Sequence, residues 1–311
     1  MTVLWWMLAG CVPDLGTRSI GAHADQCGSC HPDEAAALQG SRHAAPNSSP
    51  LFRVLREQAE QELGAGPFCD GCHRAEGIRC VDCHGAIGGF GADGVPNGQL
   101  VLDPTGPVRA GQEGQGAPHA TVEGAFLQDS ALCGTCHEVE GPPGFVEQPY
   151  TAWQAWGGRG TCQDCHLDGH AFIGLQTDPV RLLDRGMRLE AREDGVRLTN
   201  LAGHAFPDGA SVTRELWVES RVGGAWSGDV VPLHPRLWRD GVEIANPVRA
   251  DAVEHRSIAP RAFADLTFEA PGSAGPMEVC VRFRALRRDL AEEIGLPVPD
   301  AETVRCIELL P

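Results

Sequence analysis

Lysine is absent from the 311-residue chain: all 25 cationic side chains are arginine. That excludes Schiff-base chemistry and a Walker-type phosphate loop, both of which need the lysine amine. Tyrosine occurs once, at Tyr150, and aromatic residues make up only 6% of the chain, so a conventional core would lack its usual large fillers. No apolar run approaches the ~18 residues that a membrane-crossing helix requires. There is no basic patch either, and 42 acidic residues leave a net charge of −17, which argues against a nucleic-acid partner. Hydrophobic residues at 42% exclude wholesale disorder. The length fits one large domain or two ordinary ones, and 39 glycines with 23 prolines make it rich in loops.

Cysteine, by contrast, is abundant. Ten of the thirteen cysteines fall into five copies of one pattern. These are Cys27-Gly-Ser-Cys30-His31, Cys69-Asp-Gly-Cys72-His73, Cys80-Val-Asp-Cys83-His84, Cys133-Gly-Thr-Cys136-His137 and Cys162-Gln-Asp-Cys165-His166. C-x-x-C-H is the attachment signal for c-type haem. Thiols three residues apart reach the two vinyl groups on one porphyrin edge, and the following imidazole then binds the iron. A zinc half-site or a thioredoxin-like pair would also use C-x-x-C, but neither needs a histidine after every second cysteine. Chance at this composition gives about 0.02 matches, so five covalent haems are expected, with His31, His73, His84, His137 and His166 as proximal ligands. A lysine-ligated haem is excluded with the lysines.

The other three cysteines read separately. Cys11 closes Leu8-Ala9-Gly10-Cys11 after the apolar run Val3–Leu8. This resembles a bacterial lipobox, although residues 1–10 carry no cation and the run is short. An unlipidated secretion signal and a chance cysteine are the alternatives. Haem and lipid are both attached outside the cytoplasm, so an exported protein is expected, in the periplasm or at the cell surface. Lipidation at Cys11 would anchor it, with Val12 favouring the outer membrane. Cys280 and Cys306 lie in strand-like runs, where a disulfide is expected and two buried thiols are the alternative.

Three regions follow. Residues 1–22 form the signal and tether. Residues 23–177 hold every motif in a mainly α and irregular multihaem domain, with helices over Pro32–Leu38 and Leu51–Leu63 and a loop over 85–118. Residues 178–311 carry eight short strand-like runs separated by turn residues and suggest an all-β sandwich. The runs are Met187–Ala191, Val196–Leu201, Glu215–Val222, Arg236–Arg239, Val242–Ala245, Ala264–Glu269, Val279–Ala285 and Val304–Leu310. The porphyrins would supply the apolar core of the middle region.

Seven histidines remain for the sixth coordination position. With methionine scarce, bis-histidine ligation is expected, which favours electron transfer over chemistry at the metal. The distal candidates are His43, His119, His170, His204 and His23, each with a solvated or turn-stabilising alternative; His234 and His255 read as structural. If helical, His170 shares a face with His166 and would serve a neighbouring haem. Arg42, Arg74, Arg79 and Arg159 are candidates to pair with haem propionates, or are solvated charge.

The segment from Cys27 through Ser41-Arg42-His43-Ala44 resembles the first haem segment of the tetrahaem cytochrome c of the hydroxylamine-oxidation pathway (the c-552/c-554 type). Gly77–Gly85 resembles another haem segment of that family. Ala131 through Trp153, Cys162–Phe172 and Asn200–Gly209 are similar to multihaem cytochromes with a C-terminal β-domain. The resemblance implies an electron carrier with redox-protein partners over about residues 25–215. The fifth motif departs from it, so ligand pairings do not carry across. The alternatives are an oxidoreductase acting on a small nitrogen or sulfur oxyanion at one open haem, and a haem-bearing adhesion or sensor protein.

Overall fold

The computed structural model describes residues 20, 26–89, 98–111, 117, 119–139, 141, 147–208, 210–268 and 277–309. Cys11 and His23 therefore lie outside the described residues. The chain forms two compact units that interleave along the sequence. The first comprises residues 1–48, 70–136 and 161–173, and the second 49–69, 137–160 and 174–311.

In the first unit three of the five cysteine motifs sit on single helical turns: Cys27–Cys30, Cys80–His84 and Cys162–His166. One turn brings residues i and i+3 to the same face, which aims both thiols one way. Thr161 and Asp164 form a reciprocal cap: Thr161 N–H donates to the Asp164 carboxylate at 2.7 Å while the Asp164 N–H donates to Thr161 Oγ1. At the start of Cys80–His84 the Arg79 N–H donates to the Asp82 carboxylate at 2.7 Å. Pro32 then opens the helix Pro32–Gln39, with Asp33 and Glu34 in its first turn.

Residues 85–118, expected as loop, carry three short strands: Ala86–Gly88, Val101–Leu102 and Val108–Ala110. The first two pair with each other, and the third pairs in parallel with Thr121–Glu123. Such two- and three-residue strands are set by distant partners and leave no period to read.

The second unit holds a four-stranded antiparallel sheet in the order Ala225–Pro232, Glu215–Val222, Met277–Arg284, Glu302–Leu309. A three-stranded sheet runs Phe263–Thr267, Gly195–Asn200, Met187–Arg192. Strand alternation sends Leu189, Leu198, Val218, Val279, Val281 and Phe283 into one shared core. Cys280 and Cys306 are directly opposed in the register and joined by a disulfide. The unit is not all β. Helices Pro179–Gly186 and Arg288–Glu293 belong to it, as does Pro50–Leu63. That last helix packs Leu55 and Ala59 with Val248, Leu290 and Ala291. Asn246 ties it in by donating to Gln58 Oε1 at 2.9 Å, and Arg249 pairs with Glu62 at 2.9 Å.

Candidate haem-ligating site

Within the first unit, histidines distant in sequence come together as pairs. The rings of His31 and His119 are 6.4 Å apart, and those of His84 and His170 are 6.0 Å apart and nearly parallel. Two imidazoles on one metal, with ~2 Å metal–nitrogen bonds and ~1.1 Å from nitrogen to ring centre, sit about 6 Å apart. Both pairs match that spacing.

Backbone carbonyls hold the rings. His84 Nδ1 lies 2.6 Å from Arg109 O, His73 Nδ1 2.9 Å from Pro46 O, and His166 Nδ1 3.0 Å from Ile173 O. An Nδ1–H donated to a carbonyl fixes the tautomer and leaves the Nε2 lone pair for a metal. Burial holds His43, His73 and His84 below the ordinary imidazole range, and the nearby His170, His31 and His119 lower His84 further. All three are then neutral at physiological pH, the state that ligates.

The motifs also approach one another through their thiols. The Cys133 thiol is raised by its hydrogen bond to Cys162 and then by burial; Cys136 is lowered by a hydrogen bond from Cys72. Cys72 Sγ lies 3.9 Å from Cys136 O, and burial pushes Cys83 up to about 12. The fourth motif thus touches the second and the fifth, which would bring attached porphyrin edges close. A zinc site gathers about four ligands; among the described residues no group of three or more His, Cys, Asp or Glu side chains converges.

The remaining candidates are placed as follows. His43 is half-buried edge-on against Phe172, at 4.3 Å between rings. His204 sits in the second unit on a turn built by Asn200, which is fully buried. Asn200 Nδ2 reaches the carbonyls of His204, Ile258 and Ala259, and its Oδ1 accepts from Ala202 N–H. His204 Nδ1 is 2.8 Å from Ala205 O and 3.7 Å from Asp208. His234 Nδ1 faces Leu216 O at 3.3 Å, and His255 is exposed. Arg74 is committed to the buried Asp82 at 3.0 Å and to Gly98 O, so its charge serves the fold. The orienting carbonyls of Pro46, Arg109 and Ile173 were missed, because a backbone acceptor carries no residue-type signal.

The solved structure of a penta-haem cytochrome c552 from Thermochromatium tepidum superimposes on this chain with a TM-score of 0.74 at 20% identity, covering 94% of this chain and 99% of that one. The fold is a multihaem cytochrome fold. No family model and no curated protein matches the chain. The shared fold agrees with the histidine geometry: the residues present fit c-type haem, with three of the five thiol pairs on single turns and histidine pairs at bis-ligand spacing.

Proposed function

We propose that this chain is an exported c-type cytochrome that carries five covalently bound haems and passes single electrons between redox-protein partners. The observation that carries the reading is the pair of histidine couples, His31–His119 and His84–His170, at the spacing of two ligands on one iron. The haem irons supply the reversible one-electron chemistry when bound. The chain's own residues do the rest. Paired cysteines would hold each group, and His31 with His119 and His84 with His170 would ligate the first and third irons. His73, His137 and His166 would ligate the others, with His43, His204 and His23 as further ligand candidates. Carbonyls of Pro46, Arg109 and Ile173 lock ring orientation, so reduction and oxidation need little rearrangement.

Export follows from the attachment chemistry, and Cys11 would tether the protein to the outer membrane by lipid. The strand-rich 178–311 region, read as a sandwich, serves as a docking or spacing module. The test is electron-spin resonance of the matured ferric protein with His84→Ala or His170→Ala. Each variant should convert one haem in five from low spin to high spin. An unchanged spectrum from both would remove the assignment.

A further inference from the structure

Two of the five proximal histidines, His31 and His84, meet a second histidine ring within the first unit. Of the other three, His73 and His166 also belong to that unit. His137 belongs to the second unit, and so does His204. The segments that follow these two histidines in the chain meet twice.

The first meeting is built on Glu138, the residue next to His137. Glu138 is buried, and its carboxylate accepts from the Tyr150 N–H at 3.1 Å, the Thr151 N–H at 3.1 Å and the Thr151 hydroxyl at 2.6 Å. Pro149 opens the helix Pro149–Ala155 and has no N–H, so the carboxylate takes the first two amides that this helix offers. The same helix carries Trp153 and is followed by Trp156, and both indoles press on Gly203, the residue before His204. A Cβ on Gly203 would meet Trp156 carbons at 3.1 Å and Trp153 Cδ1 at 3.3 Å. That is inside the ~3.5–4.0 Å of ordinary carbon contact, so glycine is what lets the backbone come this close.

The second meeting is made by Glu147. Its backbone exchanges two hydrogen bonds with Val139, at 2.7 and 3.0 Å. Its carboxyl stands within electrostatic reach of Arg214 and of Asp208, and Asp208 lies 3.7 Å from His204 Nδ1. His204 itself is held from its own turn: its carbonyl accepts from Asn200, and Nδ1 at 2.8 Å from Ala205 O leaves Nε2 for a metal.

We infer that His137 and His204 ligate the same iron, that of the fourth haem, and that Glu138 is the positioning residue that sets one against the other through the helix Pro149–Ala155. The inference deepens the reading above and rests on it. Ligands so far apart in sequence keep one separation only if the backbone next to each is fixed, which the Glu138 clamp does for His137 and the two indoles do for His204.

Matured full-length protein is first counted for haem; fewer than five per chain overturns the functional reading on which the pairing rests. A methionine in place of a histidine ligand gives its iron a far-red charge-transfer band and raises its potential. His204→Met should therefore add the band of one such iron to the spectrum. Adding Glu138→Ala should shift that band or the midpoint of that iron in a spectroelectrochemical titration, and Glu138→Gln, which keeps an acceptor oxygen, should restore it. The same Glu138→Ala change in His170→Met, where the band reports the third iron, should move nothing. Independently, His204→Ala should convert one iron in five to high spin in electron-spin resonance, but none of the remaining four in Cys133→Ala/Cys136→Ala. Where that four-haem protein does not accumulate, the methionine proteins decide. The proposal is overturned by the lack of a far-red band in His204→Met, by a band there that ignores Glu138→Ala or moves equally in His170→Met, or by a new high-spin iron in the four-haem protein.

Discussion

The two units bury different things. All three clusters of buried apolar side chains lie in the second unit, around Val218, Val279, Val281 and Phe283, around Leu55 and Leu290, and around Leu237. In the first unit the only buried apolar residues among those described are Ile20 and Ala86, beside the polar Ser41, Asp82, Ser130 and Thr135. A unit of that size cannot offset its conformational entropy with two buried side chains. It does so if porphyrins are its core, which ties the folding of the first unit to the chemistry that attaches them. The second unit has a self-sufficient protein core and a disulfide. The scarcity of aromatics has the same explanation.

The largest effect expected is on the full chain expressed without haem attachment. Hydrogen exchange should find residues 195–222 and 277–309 protected and residues 70–136 exchanging as an open chain. Protection in both would break the comparison. Next, Phe283→Ala in the holoprotein should destabilise the second unit by about 3–5 kcal/mol, read as an earlier thermal transition in far-UV circular dichroism with the haem bands unmoved. Cys280→Ser with Cys306→Ser should cost on the order of 3 kcal/mol in the same transition and leave the optical spectrum unaltered. A change in haem absorption from either variant would mean that the two cores are not independent.

The smallest effect is one of pH. Burial pushes the Glu147 carboxyl up to about 7, against the opposing pull of Arg214. Its ordinary value is 4.5, so between these two values the folded state keeps a proton that the unfolded state has lost. Stability from this group therefore falls as pH rises from 4.5 to about 7. Glu147→Gln should flatten that part of the stability–pH curve; an unchanged slope would show that Glu147 titrates normally.

What was legible in the sequence was local. The strands Glu215–Val222 and Arg236–Arg239 were read at their observed ends, since each is a short run with apolar residues at its centre, bounded by turn residues. Ala225–Pro232 was missed because Gly228 and Asp229 interrupt it, and a register shift between Trp226 and Val230 removes the alternation. Ala252–Glu254 is too short to show a period. The helix Pro50–Leu63 was seen, but not that it packs with Leu290 and Ala291, which is decided by residues far along the chain. The site divides in the same way. C-x-x-C-H is a local signal, complete in five residues, whereas the joining of His31 to His119 and of His84 to His170 is tertiary and has no spacing to read.

The most direct test of five haems capped on both sides is optical: a pyridine haemochrome count on the matured protein, followed by carbon monoxide added to the reduced form. Five haems per chain with no ferric high-spin band and no carbon monoxide shift is the result predicted. Fewer than five haems, or a shift in any one of them, would contradict it and put an open iron in the protein.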